Sequence, residues 1–436
     1  MTQDALAVAI EALSWMAYTG IGERTALLKS SRQLHVENAP DLRQAHKWIM
    51  EISRFQNRLD WFIDQVAVND AINGAFHGIR GLFRILAYSK WVTSEPRAHL
   101  ERIVNWGRQI IGWRELRPFE DGVARLISSG PSPSASHLPE FERLAVETCH
   151  PAWYVQRLVT VFGRDRALTI LNRDLKPVAT YARLNSLKPG DAQLFSDEAK
   201  IPTLEGVYVL EKGLRGRERA RLASLGRIVI QDLGSIVAGL TASPRPSQVV
   251  LDVCAAPGNK TSHMAAQMNN DGRIYSVELS GSRASQWKQE MSRTGCTIAN
   301  LIRADARSIP LHISADIVLV DPPCSNSGVF ARNPASKWRI NPTRLKELTR
   351  SQTEILQTAS EKVAEGGTLV YCTCSILPEE NEMIVEPFLR RNPEFSLVPQ
   401  QPFIGSPGLR GLTLCQRFYP TTNHCNGSFI AKMRKS

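Results

Sequence analysis

Val249-Val-Leu-Asp-Val-Cys-Ala-Ala-Pro-Gly-Asn-Lys-Thr261 begins as a run of branched apolar residues, passes through a turn-forming loop and leads into a helical pattern. The β-branched run favors a buried strand, and Pro257 and Gly258 end it. A strand, a tight loop and a helix N-terminus form the place where a Rossmann-like sheet presents backbone N–H groups to a ligand. The spacing is neither GxGxxG nor GxxxxGK[ST], so dinucleotides and nucleoside triphosphates lose their main support despite Lys260 and Thr261. A loop without a phosphate cradle suits a nucleoside cofactor that carries no phosphate, such as S-adenosylmethionine.

Working outward, Arg273–Val277, Asn300–Arg303, Asp316–Val320 and Thr368–Tyr371 are further strand candidates, with helical stretches between most of them. This alternation predicts an α/β domain with a doubly wound parallel sheet and its ligands at the carboxyl ends of the strands. Glu278 ends the second strand about 20 residues past the glycine loop, where a carboxylate accepts hydrogen bonds from both ribose hydroxyls. Asp305 follows the third strand, within reach of an adenine amino group, and Asp321 ends the fourth. One such carboxylate alone has a helix cap as its alternative reading; three at successive strand ends are hard to explain that way.

Two of these strand ends carry cysteines: Asp321-Pro-Pro-Cys324-Ser-Asn-Ser-Gly328 and Tyr371-Cys-Thr-Cys374-Ser375. Isolated cysteines are usually inert core residues. Two beside a nucleoside-cofactor loop suit methylation of cytosine carbon 5, a poor nucleophile until a thiolate adds to carbon 6. The carbon 5 proton must then leave before the covalent bond breaks, a step that a second thiol or a base assists.

On these residues the stretch from about 248 to 434 resembles the Sun-type RNA (cytosine-5) methyltransferase family. The likeness rests on Asp252 to Thr261, Glu278, Asp305, Asp321 to Cys324, Thr373-Cys374-Ser375 with Pro378-Glu-Glu-Asn381, Arg417-Phe-Tyr-Pro420 and Gly427 to Ala431. It implies that Cys374 is the nucleophile and Cys324 aids release. DNA cytosine methyltransferases are similar in chemistry but attack from the Pro-Cys motif, so Thr373-Cys374-Ser375 favors RNA. The resemblance also implies that Cys254, Ala255, Ala256, Pro257, Gly258, Asn259 and Lys260 wrap the cofactor with Glu278, Asp305 and Asp321, and that Lys260 and Asp321 face the target base. Asn259 stands where a second glycine is common, and Asn326 replaces the small residue usual after Cys-Ser.

The rest of the 436 residues predicts an all-helical domain over 1–127, an α+β insert over 137–243 and the catalytic domain over 244–436, with Ser128-Ser-Gly-Pro-Ser-Pro-Ser-Ala-Ser136 as a linker. This order resembles the bacterial small-subunit ribosomal RNA methyltransferases of the B type, whose helical domain is similar to the antitermination factor NusB. Lys and Arg number 53 against 42 Asp and Glu, a net charge of +11 that suits a nucleic-acid partner. Lys212, Arg215, Arg217, Arg219 and Arg221 form either an RNA-backbone contact or a solvated helix face. Eight cysteines without a CxxC pair argue against a disulfide scaffold and a structural metal site. No apolar run approaches a membrane span, and the N-terminus lacks a basic signal region. The expectation is a cytoplasmic, monomeric enzyme acting on ribosomal RNA with no membrane partner. The alternatives are the same reaction on transfer RNA, or a noncatalytic RNA-binding assembly factor that keeps the fold.

Overall fold

The computed structural model describes residues 2–67, 76–188, 193, 195–212 and 216–436. The chain divides into two compact units: Met1–Lys176 with Asn333–Asn341, and Pro177–Arg332 with Pro342–Ser436. The Ser/Pro-rich stretch at 128–136 therefore lies inside the first unit, and helices Glu140–Thr148, Ala152–Phe162 and Arg164–Asp174 beyond it belong to the helical part. Among the described residues no helix is long and apolar enough to cross a membrane.

The first unit is helical because its apolar residues recur on one side of each turn. Leu82, Phe83 and Leu86 of His77–Trp91 meet Leu6, Ile10 and Leu13 of Gln3–Thr19 and Ile49 and Ile52 of Ala39–Ala67 in one core. Thr2 caps the first helix by accepting from the Ala5 N–H, and Gly20 closes it in the left-handed region. Asn333–Asn341 packs into this unit: Lys337 Nζ donates to the Arg54 carbonyl at 2.8 Å, and the Ala335 N–H donates to Glu23 Oε1 at 2.7 Å.

The second unit opens with a small antiparallel sheet of β1 (Tyr181–Leu184), β2 (Lys200–Ile201), β3 (Leu204–Val209) and β4 (Ile228–Ile230), in the order β2-β3-β1-β4. A nine-stranded sheet follows. It contains β5 (Val249–Val253), β6 (Arg273–Val277), β7 (Ala299–Ile302), β8 (Ala315–Val320), β9 (Val363–Thr373), β10 (Phe395–Leu397), β11 (Ser406–Pro407), β12 (Gln416–Phe418) and β13 (Ser428–Lys435). The order is β11-β12-β13-β9-β8-β5-β6-β7, with β10 paired to β13. β9, β8, β5, β6 and β7 are mutually parallel, and β13 returns antiparallel to β9.

Both faces of the parallel strands are covered, which explains their near-continuous apolar runs. Leu251, Val253, Val318, Val320 and Tyr371 enter one core, and Val250, Ile317, Leu319 and Val370 the other. The chain proceeds outward from β5 to β6 and β7, then returns to the opposite side of β5 as β8. That reversal makes the carboxyl ends of β5 and β8 a topological switch point, the general location of ligands in such sheets. The register pairs Val277 with Val253, Val253 with Val320, and Val320 with Tyr371. The residues that follow these pairs, Glu278, Cys254, Asp321 and Cys372, consequently form one row at the sheet's edge.

Candidate active site

Two cavities open along this row. The larger, about 360 Å³, is lined by Cys254, Glu278, Arg283, Asp305, Arg307 and Pro323 among others. Glu278 is 4% exposed; its Oε1 accepts from the Ser280 N–H at 2.9 Å, while its buried Oε2 has no hydrogen-bond donor and lies 3.5 Å from Arg283 Nη1. A buried carboxylate oxygen left in this state suits a ligand that brings hydroxyl donors. Arg283 also donates to the Ala256 carbonyl, tying the loop after β5 to the helix Gly281–Thr294. Asp252, buried next to last in β5, also keeps its Oδ1 unpartnered, while its Oδ2 accepts from Thr261 Oγ1 at 2.5 Å. Burial, reinforced by Asp321 and Glu278, pushes the Asp252 carboxyl up to about 7 against the pull of Thr261 and Lys260. These residues fit an adenosine-type cofactor.

The glycine-containing loop divides its work. Cys254, held at φ +64°, reaches the larger cavity, and burial raises its thiol pKa above the usual value. Ala255 and Ala256 are buried in a cluster with Trp287 and Met291, and a side chain at Gly258 would meet that same Met291 at 2.8 Å. Asn259 begins the helix Asn259–Gln267, with its carbonyl accepting from Arg183 and Ser262. Lys260 faces the second cavity. Asp305 borders the first cavity but is already paired with Arg307 at 2.7 Å, and that hydrogen-bonded partner holds its carboxyl below the usual range.

The second cavity, about 200 Å³, is lined by Lys260, Asp321, Cys372, Cys374, Val329 and Phe429 among others. Lys260 Nζ lies 2.6 Å from Asp321 Oδ2. Burial pulls the Lys260 ammonium toward neutrality, but Asp321 outweighs it and keeps the group charged. Cys374 Sγ is 3.1 Å from Cys324 Sγ and 2.9 Å from Asn326 Oδ1. The Cys324 contact, with burial, holds Cys374 well above the ordinary thiol pKa, so it rests as a thiol and must be deprotonated to attack. Cys372, although adjacent in sequence, is a buried strand residue whose thiol is raised by burial and by Asp321.

Behind the cysteines lies a buried polar scaffold. Glu380, 0% exposed, accepts from the Ser325 N–H at 2.7 Å, Ser325 Oγ at 2.5 Å and Gln352 Nε2 at 3.0 Å. Asn381 accepts from Thr373 Oγ1 at 2.6 Å and donates to the Ser375 carbonyl at 2.9 Å. Ser327 and Ser375 join through their hydroxyls at 2.8 Å, and the Gly328 N–H donates to the Cys374 carbonyl at 2.9 Å. Pro378 to Asn381 thus hold both cysteine-bearing loops against each other. Arg417 pairs with Glu382 inside the same scaffold, both essentially without exposure, and donates to the Ile376 carbonyl.

The sequence model of a family described as 16S rRNA methyltransferase RsmB/F matches residues 240–434. A probable ribosomal RNA small subunit methyltransferase B of Bacillus subtilis (strain 168) is 32% identical over 347 residues, covering 75% of this chain and 76% of the relative. The chain belongs to the RsmB/F family. This is a family of S-adenosylmethionine-dependent RNA cytosine-C5 methyltransferases. A tRNA (cytosine(72)-C(5))-methyltransferase of Pyrococcus horikoshii is 35% identical over 238 residues, covering 54% of this chain and 56% of that protein. Among solved structures, PH0851 is 26% identical with a TM-score of 0.84, covering 100% of this chain and 99% of that one. NSun6 from Pyrococcus horikoshii, solved with SFG, is 25% identical with a TM-score of 0.59, covering 65% of this chain and 98% of that one.

As an RsmB/F member the chain has an enzyme's fold and a site that brings Cys374, Cys324, Lys260 and Asp321 together. Sequence reading missed the roles of Glu380, Asn381 and Arg283, although the first two stood inside a quoted motif; their spacing gave no sign of which loops they would meet. Of the basic cluster, Arg217, Arg219 and Arg221 lie on the helix Gly216–Ser224, with Arg221 paired to Glu218 at 2.6 Å. Arg215 and the side chain of Lys212 lie outside the described residues.

Proposed function

We propose that this chain methylates carbon 5 of a cytosine in small-subunit ribosomal RNA, with Cys374 as covalent nucleophile and Cys324 as acceptor of the carbon 5 proton. The observation that carries this reading is the pair of thiols 3.1 Å apart beside the Lys260–Asp321 ion pair. Glu278 and Cys254, which line the larger cavity, would hold the cofactor, the unpartnered Glu278 oxygen being available to ribose hydroxyls. S-adenosylmethionine, when bound, supplies the methyl group that carbon 5 takes up.

The Cys374 thiol passes its proton toward Asp321, and the sulfur electron pair forms the bond to carbon 6. Asp321, oriented by Lys260, hands that proton to ring nitrogen 3, so that electron density gathers at carbon 5. After methylation Cys324, having first released its own thiol proton to solvent, takes the carbon 5 proton as the thiolate. The carbon 6–Sγ bond breaks with its electron pair returning to Cys374, which recovers the nitrogen 3 proton through Asp321, and Cys324 is again the thiol. Ribosomal RNA is favored over transfer RNA because the Bacillus subtilis relative matches 75% of the chain and the transfer RNA relative 54%.

Denaturing gels of Cys374→Ala and Cys324→Ala with S-adenosylmethionine and unmodified small-subunit ribosomal RNA test the division of labor. Cys374→Ala should give no RNA adduct and no product, whereas Cys324→Ala should methylate and accumulate a denaturant-stable complex. The reverse pattern overturns the assignment. Mapping 5-methylcytosine with and without the gene tests the RNA class: a mark lost only from transfer RNA refutes the ribosomal reading.

A further inference from the structure

Besides Cys324, the side chain of Asn326 touches the proposed nucleophile, and it does so from an unusual backbone position. It sits at φ +59°, in the left-handed region that asparagine tolerates better than most side chains. Its amide does not hold the loop together. The backbone on either side is fixed by Glu380 through Ser325, by the Ser327–Ser375 hydroxyl pair, and by Gly328, whose N–H reaches the Cys374 carbonyl and whose carbonyl accepts from the Gly427 N–H at 2.7 Å. The side-chain oxygen instead lies 2.9 Å from Cys374 Sγ.

A primary amide carries an acceptor and donors on one rotor. In the resting thiol Oδ1 receives the Cys374 S–H. Once that proton has left toward Asp321, a half-turn about the terminal torsion, which is broad and two-fold for asparagine, presents Nδ2–H to the sulfur anion. The other titratable groups around this sulfur are Cys324, Cys372, Asp321 and Lys260. Asp321 is a carboxylate and Cys324 acts as a thiolate in the release step, so a neutral donor able to follow the change in charge has a defined task.

We infer that Asn326 is a positioning residue for the methyl transfer, aiming the Cys374 sulfur while it is protonated and donating to it when it is the thiolate. The inference rests on the assignment of Cys374 as nucleophile. A hydrogen bond to the charged form of an acid favors that form. Deleting the amide should therefore raise the pH at which the thiolate forms by about one unit, and placing a carboxylate there should raise it further.

The test uses the full chain and three variants, Asn326→Gly, Asn326→Asp and Cys374→Ala. Glycine keeps the left-handed backbone while removing the amide, so folding should be retained and thermal denaturation checks it. The readout is the rate of denaturant-stable adduct formation from pH 6 to 9.5, using unmodified small-subunit ribosomal RNA and bulk transfer RNA transcripts that carry 5-fluorocytidine. Iodoacetamide labeling of Cys374, read by peptide mass spectrometry in a Cys324→Ser background and carried on to about pH 11.5, follows the thiol without RNA and past its midpoint. Asn326→Gly should shift the rising limb of both profiles upward by about one unit, lowering both rates about tenfold at pH 7, while labeling above the shifted midpoint returns to the wild-type rate. Asn326→Asp should shift it further. An unshifted labeling midpoint, or a labeling loss equal at every pH including those above the midpoint, overturns the role of Asn326. Adduct formation by Cys374→Ala instead overturns the nucleophile assignment, so the two failures are distinguishable.

Discussion

Replacing Glu380 with Gln tests whether the buried scaffold behind the cysteines sets the rate of release. As a carboxylate, Glu380 accepts from the Ser325 N–H, Ser325 Oγ and Gln352 Nε2, at 2.7, 2.5 and 3.0 Å. Glutamine keeps the shape and one acceptor. Its oxygen can still face Ser325 N and Gln352 Nε2, while its NH2 must face Ser325 Oγ, which then has to accept. Hydrogen bonds to a charged group contribute about 1.5–3 kcal/mol and neutral ones about 0.5–1.5. Three bonds each weakened by about 1 kcal/mol give an expected loss of about 2–3 kcal/mol, whereas Glu380→Ala leaves buried donors unpaired and should cost more.

Ser325 directly follows Cys324, so the same change should loosen the proton acceptor more than the nucleophile. A displacement of about 1 Å at a reacting group costs on the order of a hundredfold in rate. With the shape retained, a release step about tenfold slower is expected, accompanied by partial accumulation of the RNA adduct. Chemical denaturation measures the stability, and a chase of preformed adduct on denaturing gels measures release. Wild-type stability with wild-type release in Glu380→Gln would refute the argument. Lost stability with unchanged release would restrict Glu380 to a structural part.

Glu278→Ala should weaken S-adenosylmethionine binding by roughly tenfold to a hundredfold, the consequence of losing hydrogen bonds to a carboxylate, and calorimetric titration reads it directly; unchanged affinity would remove Glu278 from the cofactor site. Asp252 gives a pH dependence with a definite sign. Its carboxyl is raised from 3.8 to about 7 by burial, so between these values the folded chain retains a proton that the unfolded chain has lost, and stability should fall as pH rises from about 4 to 7. The contribution is up to about 4 kcal/mol, and Asp252→Asn should remove that slope and raise stability at pH 8. An identical pH dependence in the two proteins, followed by denaturant titration without cofactor, would contradict it.

The α/β architecture was legible because a parallel sheet covered on both faces writes itself as short apolar runs. β5 and β6 match the expected strands residue for residue, while β9 extends back from Thr368 to Val363 across Glu365-Gly366-Gly367, where the register against β8 shifts. The helical pattern at Leu82 to Ala87 was legible for the same reason. The place of Asn333–Asn341 in the helical unit was not, since burial of the Lys337 amine depends on Arg54 and Asp174, far away in sequence. Asp305 illustrates a different limit. Its position after β7 places it on the larger cavity, but its pairing with Arg307 two residues later, which reaches both oxygens, is a local contact that strand spacing does not express.

The site residues themselves depended on a quantity between these cases. Alternation along a strand tells which residues face which side, but not how far one strand is shifted against the next, and a one-residue slip turns every side chain over. Here Val253, Val277, Val320 and Tyr371 are in register, so the residues just beyond them converge. The chemistry offers a substitute for that missing information: a thiol to attack, a second to take a proton, and a carboxylate to carry one have to meet, a demand that groups Asp321, Cys324 and Cys374 without any knowledge of register. No equivalent demand singles out Glu380, Asn381 or Asn326. Their partners are the loops themselves, and a residue that acts by holding another gives its reason only once the contact is visible.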